Sequence, residues 1–579
     1  MFAPAQFEVW APYAQRVHLI LDGEEVALVR DTARPGWWFA ANVRPRPGQR
    51  YAFSLFDGTS WTPHLPDPRT RRQPEGVHGT SEVIFDDFVW SDGAWRGRPF
   101  KGQVIYELHV GTFTHKGTFA GVVDKLDYLV ELGVTAIQLM PVQPFGGERN
   151  WGYDGVDWLC VHEAYGGPQG LKELVDAAHN HNIAIFLDVV YNHFGPDGNY
   201  TGFFGPYTTS GHTGWGDVVN LSGPGSDEVR DYICDAVRQW LGEFHIDGLR
   251  LDAVHAFDDR LAYSIMEDIR VVAADIEAAT GIPRHIIAES DLNDPRIITE
   301  PARGGYGLTA QWLDDVHHGV HAMVSGEIHG YYSDYAAMEI LADTLAHGYR
   351  FRGGYSAFRG RRHGRALDLS HTAPWRLVTY TTTHDQTGNR AAGDRPSQSL
   401  TFGQLALKAA VIFFCPFTPM LFMGEEFAAR SPFPFFISHS DEGLNRMTRE
   451  GRLREFSRMG WDCAEIPDPA AMSTFLSARL DWGFAPEQKR MLDVYRRFIA
   501  LRRELRLDRD DLRELKVLHG EKWLVAGYED VVLAANFSAE VLSVPAGGEM
   551  VYGIGVDKVE AAECVLGPWG FAVLANSRR

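Results

Sequence analysis

The sequence predicts a (β/α)8 barrel with an N-terminal β-sandwich and a C-terminal antiparallel β domain. Three observations lead there. From about Gln103, apolar strand-like runs alternate with amphipathic helical stretches, which implies a parallel α/β sheet buried on both faces. That alternating region, residues 99–507, suits an eight-fold barrel with insertions better than an open sheet. The flanks, residues 1–98 and 508–579, read with period two.

In the first flank, short runs such as Phe7–Trp10, Val17–Ile20 and Tyr51–Leu55 are separated by turn signals at Asp22-Gly23 and Asp57-Gly58. Residues 61–79, rich in Pro and Arg, read as a connection. The barrel strands are predicted at Val104–Leu108, Ala136–Met140, Ile183–Val190, Gly248–Val254, His285–Ser290, Leu377–Thr383 and Met420–Met423. The sixth, near Ala310-Gln311-Trp312, has a weak signal. Helices are expected over Phe119–Leu132, Leu171–Asn180, Glu228–Phe244, Arg260–Ala279 and Gly403–Phe414, with Glu487–Glu504 closing the ring. The apolar stretch Leu405–Met423 is broken by Lys408, Pro416 and Pro419, so it reads as a buried helix and strand rather than a membrane span. In the last flank, Lys522–Ala526 and Val531–Ala535 alternate as antiparallel strands.

With 45% hydrophobic residues, the 579-residue chain has ample material for a large core. Its formal charge of −21 argues against a nucleic-acid or anionic-membrane partner, since phosphate binding needs a positive face. The five cysteines are scattered, with no C-x-x-C pair, and Met1–Pro4 shows no leader pattern. A reducing cytoplasm is therefore expected, without disulfides or zinc.

In a parallel barrel, chemistry sits at the carboxyl ends of the strands. Four predicted strands end in acids or histidines: Asp188 with Asn192 and His193, Arg250 with Asp252, Glu289, and His384 with Asp385. A single Asp there is commonly a helix cap, but four on one rim point to a site. Arg250 and Asp252 share a face, so the cation favours an ionised carboxylate, as a nucleophile needs. Glu289 follows an apolar run with no neighbouring cation, and desolvation would keep it protonated as a general acid. One ionised and one protonated carboxyl is the requirement for glycosidic cleavage.

These segments resemble the α-amylase superfamily, glycoside hydrolase family 13. Its four motifs are matched in order by Asp188–His193, Gly248–His255, Ala288–Ser290 and Thr383–Gln386. The resemblance covers essentially the whole chain. It implies Asp252 as nucleophile, Glu289 as acid/base and Asp385 as the third carboxylate. It also implies His193, Arg250 and His384 as lining residues and Tyr153 as the aromatic beneath the sugar, with His255, Gln386 and Asn389 as further contacts. Glu107–Phe113, Asn150–Val156, Gln311–His318 and His384–Arg390 resemble the branch that cleaves the α-1,4 bond next to a terminal trehalose unit. Maltooligosyltrehalose would be the substrate, trehalose the product, and the synthase making that substrate the pathway partner of a monomeric enzyme. The alternative is an α-1,4-glucan branching transferase, which usually carries Glu where Gln386 stands.

For Asp314, Asp315, His317 and His318 the resemblance offers a sugar-binding role; their residue types alone also fit a metal or a structural loop. No cofactor or required metal is expected, although some relatives ligate calcium through the residue matching Asn192. Trp215 reads as a contact for the trehalose end or as loop packing. Phe433, Phe435 and Phe436 read as a sugar platform or a loop core. Glu425 and Glu426 read as substrate contacts or rim ion pairs. The run Arg361, Arg362, Arg365 with His363 reads as a solvated face or a phosphate or glucan contact.

Overall fold

The computed structural model describes residues 6–575 except 214 and 459–465, so the readings of Met1–Pro4, Gly214 and Cys463 lie outside the described residues. Eight parallel strands close into a barrel in chain order: β1 (Ile105–Leu108), β2 (Ala136–Leu139), β3 (Ala184–Val189), β4 (Gly248–Leu251), β5 (His285–Ala288), β6 (Ala310–Trp312), β7 (Leu377–Tyr380) and β8 (Thr418–Phe422). Every strand residue is buried, as helix-covered parallel strands must be.

Period two decides what fills the barrel. Ile105, Phe186, Ile287, Trp312, Val378 and Met420 belong to one apolar cluster, with Trp95 and Phe100 packed into it. Trp95 donates to Asp247 at 2.8 Å, just before β4, which places it at the amino-terminal mouth. Two residues further along, the same strand faces carry Glu107 and Asp188, and β5 runs on from Ile287 to Glu289. The lower layers are thus apolar and the upper rim charged.

Four expected helices have different bounds. Leu171–Asn180 begins earlier, as Gly167–Asn180, with Pro168 in its first turn. Phe119–Leu132 is two helices, Phe119–Val123 and Leu126–Leu132, parted at Asp124-Lys125. Glu228–Phe244 runs as Ser226–Arg238 and then widens into a π turn, Gln239–Glu243. The helix predicted from Arg260 starts at Ile265, because Ser264 and Glu267 form a reciprocal cap there while Asp259 takes the backbone N–H groups of Leu261 and Ile265. Helices Phe402–Phe414 and Pro486–Glu504 lie where expected.

Residues 8–82 form a three-stranded and a four-stranded sheet. The hairpin between Arg16–Leu21 and Glu24–Ala27 turns at Asp22-Gly23, with φ of 50° and 88°, the pair of positive values a tight hairpin needs. Arginines tie the following connection to the barrel: Arg69 to Asp235 at 2.6 Å, Arg71 to buried Glu243, and Arg72 to Glu163 at 2.8 Å. Residues 516–575 form a six-stranded sheet. Cys160, Cys234, Cys415 and Cys564 are buried free thiols. Among the described residues no helix is long and apolar enough to cross a membrane.

Candidate active site

Asp188 is paired in register with Arg250 across β3 and β4. Backbone bonds extend the ladder past the strand ends, from Asp252 N–H to Val189 and from Glu289 N–H to Leu251, each at 3.0 Å. The sheet itself therefore brings Asp188, Arg250, Asp252 and Glu289 together.

The Arg250 guanidinium is the hub. Its Nη1 donates to both Asp188 oxygens at 2.9 Å and to Asp252 Oδ1 at 2.8 Å; Nη2 lies 3.6 Å from Glu289 Oε2. Its underside rests on the Trp312 ring, 4.2 Å away. Burial opposes its charge, but Asp188 and the other acids outweigh that and raise its pKa further above the ordinary value. Glu289 thus has a cation within reach that its sequence neighbours did not reveal. Burial still dominates and, with Asp252 and Asp385 nearby, pushes its carboxyl up to about 8. The Ala253 N–H donates to Glu289 Oε2. Ala253 holds a left-handed backbone, φ 40°, which costs a non-glycine residue energy. With Oε2 taken by that donor and turned to Arg250, the proton belongs on Oε1.

On the opposite side Thr383 caps a short helix, His384–Gly388. His384 Nδ1 meets Glu107 Oε1 at 2.7 Å, its backbone N–H donates to Glu107 Oε2 at 3.1 Å, and its Nε2 lies 3.5 Å from Asp385 Oδ2. Burial works against the imidazolium, but Asp385 and Glu107 prevail and lift its pKa to about 9. The Tyr153 hydroxyl donates to Asp188 Oδ2 at 2.7 Å and its ring stacks on His384 at 5.1 Å. Asn192 donates to Asp252 Oδ2 at 2.8 Å. His193 lies between Asn192 and the Tyr153 carbonyl, and the exposed Trp215 ring faces both His193 and His255 at 6.4 and 6.3 Å.

The helix Asp314–Ser325 corrects part of the expectation. Asp314 reaches the site: Tyr380 donates to it, Gln386 Nε2 lies at 3.4 Å, and burial pushes its pKa up to about 7. His318, one turn on, stacks near Tyr331 at 4.5 Å, and its buried Nδ1 has no hydrogen-bond partner among the described residues. Asp315 and His317 lie to either side of that face, about 100° and 60° round the helix from Asp314, and both are buried. Asp315 accepts from Asn293 and Tyr335, and His317 bridges Thr381 O and Tyr332. Both are buried framework residues rather than sugar contacts.

Gln386 has a structural duty as well: its Oε1 accepts from the N–H and hydroxyl of Thr383. Asn389 donates to Asp385 Oδ1 at 3.2 Å. Phe433 and Phe436 are loop core, while Phe435 is only partly buried beneath Arg452. Glu426 is buried and Glu425 half-buried, both held by tyrosines. Among the described residues no three His, Cys, Asp or Glu side chains are grouped to hold a metal.

Residues 82–203 match the alpha-amylase family, alpha amylase catalytic domain. The malto-oligosyltrehalose trehalohydrolase of Mycobacterium tuberculosis is 48% identical over 94% of this chain and 95% of its own. A 1,4-alpha-glucan branching enzyme of Corynebacterium jeikeium is 29% identical over only 53% of this chain and 47% of its own. A crystal structure of an alpha-amylase-type protein from Salmonella typhimurium superposes with a TM-score of 0.90 at 33% identity, covering 100% of this chain and 99% of that one.

Proposed function

Because the chain belongs to the malto-oligosyltrehalose trehalohydrolases, glycoside hydrolases of the α-amylase superfamily, we propose that it hydrolyses the α-1,4-glucosidic bond beside the terminal trehalose unit of maltooligosyltrehalose and releases trehalose by a retaining double displacement. The observation that carries the mechanism is one buried guanidinium between an aspartate and a glutamic acid whose pKa lies near 8.

Asp252, held by Arg250 and Asn192, attacks the anomeric carbon while Glu289 delivers the proton on Oε1 to the departing trehalose oxygen. Glu289, now a carboxylate, takes a proton from water, which cleaves the glycosyl-enzyme and restores the α configuration. Asp385, with His384 beside it, grips sugar hydroxyls most tightly in the distorted ring, so its contribution belongs to the transition state. Tyr153 supplies the apolar floor. Trp215, His255, Asp314, His318, Gln386 and Asn389 are assigned to the sugars on either side. The protein works as a cytoplasmic monomer, fed by a synthase that makes the maltooligosyltrehalose.

Proton NMR of the new reducing end tests the retaining step. The α-anomer should appear first and mutarotate to β; an initial β-anomer would exclude a glycosyl-enzyme on Asp252.

A further inference from the structure

A hairpin formed by Arg352–Ser356 and Arg361–Gly364 stands beside the loop that follows β5. Its inner edge is fastened there. His363 Nε2 lies 2.7 Å from the Asp291 carbonyl, Arg359 pairs with the Asp291 carboxylate at 2.8 Å, and Arg365 N–H donates to Asn293 O at 3.0 Å. Arg361, Arg362 and Arg365 are exposed and line an open cleft of about 490 Å³ together with Leu292, Asn293, Asp294 and Arg296.

The electrostatics of this cleft are unbalanced. Arg361 and Arg362 reach only main-chain carbonyls, at 3.4 and 3.3 Å, and among the described residues none of the three exposed arginines has a carboxylate partner. The one acid on the wall, Asp294, is already clasped by Arg296 through contacts of 2.6 to 3.1 Å. A second cleft of about 460 Å³ shares Arg296 and Arg365, but it is balanced by its own acids: Glu300 lines it, and Asp368 pairs with Arg303 at 2.9 Å. A chain of formal charge −21 has thus left three guanidiniums, those of Arg361, Arg362 and Arg365, without a carboxylate partner beside one cleft among the described residues.

We propose that this cleft binds a small phosphorylated anion. Clustered guanidiniums repel one another until a multivalent anion lies among them, and their planar forks match phosphoryl oxygens. The ligand is small because the chain's net charge of −21 repels an extended polyanion. It sits on the frame of the loop that begins at Ser290, next to Glu289, yet touches none of the groups assigned to bond cleavage.

Isothermal titration of the full chain with sodium pyrophosphate, at ionic strength held constant by sodium chloride, tests this. One saturable site is expected. Arg362→Ala/Arg365→Ala should weaken it at least roughly ten-fold, since two charge-assisted bonds are lost, while turnover of the glucan substrate stays at the parent level. No heat beyond the chloride control would overturn the proposal, as would undiminished affinity in the double variant.

Discussion

Arg250 serves three carboxyl groups with one positive charge. Burial lifts two of them, Asp188 to about 7 and Glu289 to about 8, and Glu289, the furthest from the guanidinium at 3.6 Å, is lifted further. Two consequences can be measured. Glu289→Gln should lower kcat by about 10²–10⁴ with little change in thermal midpoint. In the parent, kcat/KM should fall as pH rises through about 8, because the acid form of Glu289 is the active one and is lost above its pKa; a profile flat to pH 9.5 would remove Glu289 from the acid role. Glu107 acts through His384 as a positioning residue. The folded pKa of His384 is raised from 6.5 to about 9, so the pair's contribution to stability is complete below pH 6.5 and disappears as pH rises through about 9. Glu107→Gln keeps the shape but removes the charge. It should bring the His384 imidazole titration, followed by NMR, down toward neutrality and flatten the fall of the thermal midpoint across that window. An unmoved titration would mean that Asp385 alone sustains the imidazolium.

At the scale of the element, strands and their rim residues were legible and helix faces were not. β6 has only three residues, Ala310–Trp312, yet it could be placed because seven stronger strands left one position open. Glu107 was missed as a site residue although the signal was present: it follows Ile105 by two, as Asp188 follows Phe186, so the same inward face carries an acid. Asp315 and His317 were misread because a motif on a helix cannot be assigned to the site without knowing which stripe faces it. Thr383-His384-Asp385-Gln386 has the spacing of a capping box, so the bonds from Thr383 to Gln386 were foreseeable. Start signals deserve equal weight to periodicity at the helix predicted from Arg260, where Ser264 sets the beginning. Ser264→Ala should cost about 1 kcal/mol in urea denaturation and leave kcat unchanged. A loss of activity without loss of stability would mean that this helix start contributes to the site.

Across the whole molecule, the connection spanning residues 61–79 ties the N-terminal sheets to the barrel through arginines. Arg71 matters most, because its partner Glu243 is buried and, among the described residues, has Lys172 as its one other ion-pair partner. Arg71→Ala should destabilise by about 2 kcal/mol, below the usual cost of breaking a buried pair because Lys172 remains, and should open this segment to limited proteolysis. Unchanged protease resistance would show that the sheets are held by packing alone. Which bond the barrel cleaves is decided by comparing initial rates and products on maltooligosyltrehalose and on the ordinary maltooligosaccharide of equal length. Much faster cleavage of the first is expected, with free trehalose and no new α-1,6 branch points. Faster cleavage of the second, or branched products, would contradict the proposed function.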